Sequence, residues 1–204
     1  MSTRELTTFH TGGIFFEGPR WHDGSWWVSD FYTHRVSRIS PDGRATTVVE
    51  ARNGVKVAAV NLMGSLFLDV PQSPWEIVDA LVEEARAQAP VVVVDFHAEA
   101  TSEKIAMATW LDGRVTAVIG THTHVQTNDA RVLPGGTAAV TDAGMSGPHD
   151  SVIGVKAELA IRRMRMRLPV RFEPAEGGVR LEGVVVDCDD SGRATGIELL
   201  RVPV

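Results

Sequence analysis

VVVVDFHAEATSEK at 91–104 and AVIGTHTHVQT at 117–127 decide how this chain is read. In each, an uninterrupted apolar run ends in a polar segment that carries histidine. Such runs, without polar alternation, are the pattern of strands covered on both faces, as in a parallel sheet flanked by helices. Loops at the carboxyl ends of such strands are where α/β sheets place ligands. The first run delivers Asp95, His97 and Glu99 there, and the second delivers His122 and His124. Alternate residues of an extended segment project the same way, so His122 and His124 are expected to face one site. Neutral imidazole binds zinc, manganese and iron and shares such sites with carboxylates. An H-x-H pair beside a strand-end D-x-H therefore points to a metal site with His97, His122 and His124 as ligands. Asp95, Thr121, Thr123 and Thr127 are expected to support those rings from behind. The plainer alternatives are satisfied core or surface histidines, a strand-capping Asp95, and ordinary first-turn helix polarity for Glu103 and Lys104.

The flanking sequence alternates strand and helix. KVAAVNL at 56–62 reads as a buried strand. Ser73-Pro74-Trp75-Glu76 reads as a helix start, with serine at the N-cap, proline at the first helical position and glutamate completing a capping box. Ile77, Val78, Leu81, Val82 and Ala85 then recur at helical spacing, and Ala89-Pro90 ends the helix. A second helix is expected over 102–111, and strands over 115–119 and 137–141. A helix over 155–167 would turn Leu159, Ile161 and Met164 inward. Its run of arginines, Arg162, Arg163, Arg165 and Arg167, would form a solvated helix end. The tail, 170–202, reads as antiparallel strands broken at 176–178 and 190–192. The class is α/β with a β-rich end.

Residues 1–52 have a different texture. Short aromatic and β-branched runs are separated by His22-Asp23-Gly24 and Pro41-Asp42-Gly43, which favour tight hairpins. This is a short antiparallel β meander, about one propeller blade. Asn53-Gly54 marks the expected junction, giving a fragment over 1–52 and a second unit over 55–204.

Composition sets outer bounds. A formal charge of −6 over 204 residues argues against nonspecific nucleic-acid or anionic-membrane binding. The single cysteine, Cys188, allows no internal disulfide and fits a reducing compartment. No window approaches the length of a membrane span and the first residues lack a signal-like apolar core, so a cytoplasmic protein is expected.

The meander resembles the opening of the gluconolactonase/regucalcin β-propeller family through EGPRW at 17–21, WVSD at 27–30 and RVSRISPDG at 35–43. The resemblance implies a metal-ligand reading for Glu17, beside the plainer one of a carboxylate near a turn. The later blades that would supply the remaining ligands do not occur here.

Residues 55–197 resemble the C-terminal half of YmdB-type bacterial metallophosphoesterases, described as 2′,3′-cyclic-nucleotide 2′-phosphodiesterases. The motifs that carry the resemblance are VNLMG at 60–64, the two opening stretches, LPGGTAAVTDAGMSGPHDSVIGV at 133–155 and LPVRFEPAEG at 168–177. It implies part of a calcineurin-like αββα sandwich with a di-metal centre, in which His97 and His122 would ligate one metal and His124 the other. It further implies a phosphodiester or cyclic-nucleotide substrate and a divalent metal such as Mn, Fe or Zn. The early aspartate, the bridging glutamate and the Asn-His pair of the family's first half, including its general-acid histidine, are absent from these 204 residues. One ion and little or no turnover are therefore expected. The alternatives are a non-catalytic metal-binding or oligomerising remnant and a sugar lactonase suggested only by the first 52 residues and Glu17. A half-sandwich would also leave an apolar sheet face bare, so either the N-terminal β segment covers part of it or the protein self-associates.

Overall fold

The fold is that of a computed structural model, which describes residues 54–204 except 69 and 71. Upstream it describes the strand backbone of 16–22, 25–30, 35–39, 45–46 and 49–50. Four strands, β1 (Phe16–His22), β2 (Ser25–Asp30), β3 (Arg35–Ile39) and β4 (Ala45–Thr46), pair antiparallel in sequence order. This is the expected meander. The Asp-Gly turns assigned to 23–24 and 42–43 lie outside the described residues, as does the side chain of Glu17.

The opening stretches form the centre of a six-stranded sheet. Its members are β5 (Val49–Glu50), β6 (Lys56–Met63), β7 (Val91–His97), β8 (Ala117–Thr121), β9 (Arg131–Val132) and β10 (Ala138–Val140), in the order β5-β6-β7-β8-β10-β9. The four central strands, β6, β7, β8 and β10, run parallel, and β5 and β9 close the edges antiparallel. Val49 and Glu50 thus pair with Val57 and Lys56 across the junction expected at 53–54.

One face of this sheet is covered by α1 (Pro74–Gln88) and α2 (Thr101–Trp110). Val78, Val82 and Ala85 of α1 and Met107 and Ala108 of α2 pack on Val60, Leu62, Val92, Val94, Phe96 and Val118. That cluster uses every second residue of each strand, as the pleat requires. Helix α1 starts at the expected place, but Ser73 makes no side-chain cap bond, and only its carbonyl accepts from Glu76 N at 3.1 Å. Proline at the first turn and the apolar stripe suffice to hold the helix there.

On the other face lies the β-rich end. A short strand β11 (Gly147–Pro148) and the long hairpin of β12 (Val179–Cys188) and β13 (Ala194–Pro203) form a three-stranded antiparallel sheet. Val186, Ala194 and Ile197 of this sheet pack on Val93, Ala117, Ile119 and Ala138. The layers are therefore helix, mostly parallel sheet and antiparallel sheet, a partial αββα sandwich. Cys188 ends β12 exposed and free.

Helix α3 (Ala157–Met166) corrects one expectation. Of its residues only Ala160 is buried, while Ile161 and Met164 face outward at 50% and 70% exposure. Four arginines within and just after a ten-residue helix leave too few apolar positions for a buried stripe, and the helix presents those side chains outward with the arginines. Among the described residues no helix is long and apolar enough to cross a membrane.

Candidate metal centre

Parallel register brings the strand ends together. Asn61, Asp95 and Ile119 are lateral neighbours on β6, β7 and β8, and Met63, His97 and Thr121 form the next row. Asp95 and His97 share the face that looks toward the second sheet, two residues apart on one pleat. Asn61 Nδ2 donates to Asp95 Oδ2 at 2.8 Å, and Thr121 Oγ1 donates to Asp95 Oδ1 at 2.8 Å. The Thr121 oxygen also lies 3.2 Å from His97 Nδ1. A hydroxyl has one proton, and Asp95 takes it, so His97 Nδ1 is the donor in that contact. In a neutral His97 this turns the lone pair of Nε2 away from the sheet.

That lone pair meets the second histidine. His122 Nδ1 lies 3.0 Å from His97 Nε2, with the rings edge to face and their centroids 4.7 Å apart. The other His122 nitrogen, Nε2, lies 2.9 Å from Glu99 Oε2. Two imidazole nitrogens thus converge on one shared proton. Nitrogens bound to a common ion at about 2.0–2.1 Å stand about 3.0–3.4 Å apart, so this separation suits neighbouring ligands of one cation.

His124 is not brought into this pair. It is exposed, and its Nδ1 lies 3.3 Å from Ile153 O, on the loop before α3. Among the described residues no three His, Cys, Asp or Glu side chains close around a common point. The donor set fits two positions of a cation's shell rather than a complete cage.

His122 and His124 adopt left-handed backbone, with φ of 106° and 64°. Non-glycine residues held there cost about 1–3 kcal/mol each and persist only where the surroundings impose them. Between them sits Thr123, which was expected to support the rings but bonds elsewhere. Its N–H and hydroxyl both donate to Asp142 Oδ2, at 3.0 and 2.7 Å. Asp142 is 1% exposed and also accepts from Lys104 Nζ at 3.0 Å and from Gly144 N at 2.9 Å. Burial pushes the Asp142 carboxyl up, but the bonds from Thr123, Gly144 and Lys104, with the lysine charge, outweigh it and hold the group below the usual carboxylate range. Further along the loop Thr127 donates to Asp129 Oδ1 at 2.7 Å, which also accepts from Thr141 N and Oγ1. There too burial raises the carboxyl while those bonds prevail and lower it.

Glu103 and Lys104 are therefore not ordinary first-turn polarity. They are 3% and 4% exposed, and each reaches one strand-end loop. Glu103 accepts from Ser65 N at 2.9 Å, Ser65 Oγ at 3.0 Å and Leu66 N at 3.2 Å, beyond the end of β6. Sequence reasoning also missed Asp142. The available signal was an acidic residue directly after an apolar strand, in TDAG at 141–144, at the same sheet edge as the histidines.

Known proteins are similar to this chain in sequence and fold. The family model described as YmdB-like protein matches residues 37–200. A curated relative, the 2′,3′-cyclic-nucleotide 2′-phosphodiesterase of Bacillus subtilis (strain 168), is 48% identical over 161 residues, 78% of this chain and 61% of its own length. Two crystal structures superpose with the chain. A hypothetical protein from Thermus thermophilus gives a TM-score of 0.71 at 38% identity, covering 80% of this chain and 64% of that one. A structure titled as a novel phosphatase of Mycoplasma pneumoniae gives 0.69 at 35% identity, covering 79% and 58%. The chain spans about three-fifths of the length of the curated relative it matches. With the matching model extending over most of the sequence, the chain belongs to the YmdB-like protein family.

Proposed function

We propose that this chain carries the histidine side of a centre for metal-assisted hydrolysis of small phosphodiesters, with cyclic nucleotides as the substrate class. The observation that carries the reading is the convergence of His97 Nε2 and His122 Nδ1 at 3.0 Å, at the carboxyl ends of adjacent parallel strands. The relative's name, a 2′,3′-cyclic-nucleotide 2′-phosphodiesterase, supports the substrate class. His97 and His122 would hold a divalent cation such as Mn, Fe or Zn, which when bound supplies charge stabilisation at a phosphoryl oxygen and a more acidic water. Asp95 and Thr121 fix the His97 ring and the face it offers. Glu99 holds the outer nitrogen of His122. The bridging glutamate and the Asn-His pair implied for the family do not occur in these 204 residues, so slow turnover is expected from this polypeptide alone.

The test is hydrolysis of bis-p-nitrophenyl phosphate and of 2′,3′-cyclic AMP with added Mn²⁺, comparing the wild-type chain with His122→Ala. Turnover that His122→Ala abolishes supports the reading. Turnover unaffected by that change would place the chemistry elsewhere.

A second reading, a non-catalytic metal-binding or self-associating unit, is favoured by the contact of His124 with Ile153 O rather than with the other histidines. Retained Mn²⁺ binding without turnover would select it, and light scattering would report self-association. The lactonase reading rests only on the resemblance of the first 52 residues and on Glu17, and predicts gluconolactone hydrolysis that Glu17→Gln removes.

A further inference from the structure

Two consecutive charges of opposite sign, Glu103 and Lys104, are buried in the first turn of α2 and reach loops on opposite sides of β7. Each passes a glycine that leaves it room. A Cβ at Gly64 would overlap Glu103 Oε2 and Ala98, and a Cβ at Gly120 would overlap the Thr141 carbonyl and crowd Lys104 Cδ. The sequence thus keeps two small residues where the two charged side chains run. On the β8 side the path ends at Thr123, the residue between His122 and His124.

We propose that Lys104 and Asp142 are positioning residues: their buried ion pair fixes Thr123, and through it the left-handed backbone that sets His122 against His97. This rests on reading His97 and His122 as a cation site. The argument is one of hydrogen-bond supply. A buried ion pair is often replaceable by apolar side chains without loss of stability. An apolar pair cannot accept two bonds from Thr123 and one from Gly144, which Asp142 does while Lys104 supplies the countercharge. Once those bonds are lost, Thr123 is released, and His122 and His124 can leave positive φ for the ordinary regions. Asp129 ties down the following turn through Thr127 and Thr141, so the loop stays attached while its histidines turn.

Three full-length variants test this: Thr123→Val, Asp142→Asn, and the double change Lys104→Met with Asp142→Leu. The first readout is the set of imidazole ¹⁵N signals in the metal-free protein, which a purely stabilising pair would not move once the variant is folded. The second is Mn²⁺ affinity from the free-ion electron paramagnetic resonance signal. We expect cooperative melts, unchanged signals in the 189–193 turn, displaced or broadened His122 and His124 signals, and Mn²⁺ affinity lower by about 10–100-fold. Lys104→Arg, which keeps the charge and can reach Asp142, is expected to retain most of the affinity. Variants that melt cooperatively with wild-type ring signals and Mn²⁺ affinity overturn the proposal. Should the double variant not fold, Thr123→Val decides, since it removes one bond from a half-buried residue. Should the wild type bind no Mn²⁺, the cation-site reading fails, and the ring signals alone decide the positioning role.

Discussion

Asp95 and His97 stand two residues apart on one face of β7 and are joined through a single hydroxyl on the neighbouring strand. Thr121 Oγ1 donates to Asp95 at 2.8 Å and lies 3.2 Å from His97 Nδ1. A carboxylate that takes the threonine proton forces the imidazole to donate, and so decides which ring nitrogen keeps its lone pair. Outer partners of this kind fix tautomer and ring orientation.

Thr121→Val should therefore weaken Mn²⁺ or Zn²⁺ binding by about 10–100-fold while leaving the fold intact. The substitution preserves shape and removes only the oxygen. Isothermal titration of the metal-free chain measures it, and unchanged affinity would show that the hydroxyl does not orient His97.

Cation binding at His97 and His122 should release protons, because the ring nitrogens, 3.0 Å apart, must shed the proton they share before they ligate. Isothermal titration in two buffers of different ionisation enthalpy provides the check. Binding without proton release would argue that the two rings are not the ligands.

Asp142 makes stability depend on acid. Its folded pKa lies below the ordinary 3.8, so the folded state holds the carboxylate more tightly than the unfolded one does. That contribution is complete above the unfolded value and is lost as pH falls through 3.8 and then through the lower folded value. Asp129 is shifted the same way and adds to the effect. Urea midpoints measured between pH 6 and pH 2.5 should fall less steeply for Asp142→Asn than for the wild type. Parallel curves would deny the carboxylate its role.

Phe96→Ala should cost about 3–5 kcal/mol, since Phe96 is fully buried beneath α1 and α2 and the helices cannot collapse into the space. Equilibrium urea unfolding gives the number. A loss below about 1 kcal/mol would mean that the helix layer repacks.

Gly120→Ala should destabilise at least as much as typical overpacking, about 1–3 kcal/mol or more, because the new methyl meets the backbone of Thr141 rather than a mobile side-chain end. Thermal melts followed by circular dichroism will show it. A wild-type melting temperature would require β8 and the 141–144 segment to separate at no cost.

The sequence by itself determined the order of strands and helices and the sheet edge at which His97 and His122 emerge. Apolar runs at 91–94 and 117–119 can be satisfied only by burial, and a strand followed by a helical stripe returns parallel to its neighbour. Asp95, His97 and His122 therefore had to emerge at one edge, and a resemblance carried by the residues around them pointed to phosphoester chemistry. Tertiary structure alone decided which polar groups met there. Lys104 finds Asp142 across 38 positions and Glu103 finds Ser65 across another 38, and neither partner is marked by any local period. Ile161 and Met164 faced outward although their spacing was helical, because spacing does not say what a helix packs against. His124 was drawn to Ile153 although it sits two residues from His122. Periodicity is a property of the neighbouring chain. The pairing of buried charges depends on which loops close over them, and that is set only when the sheet is assembled.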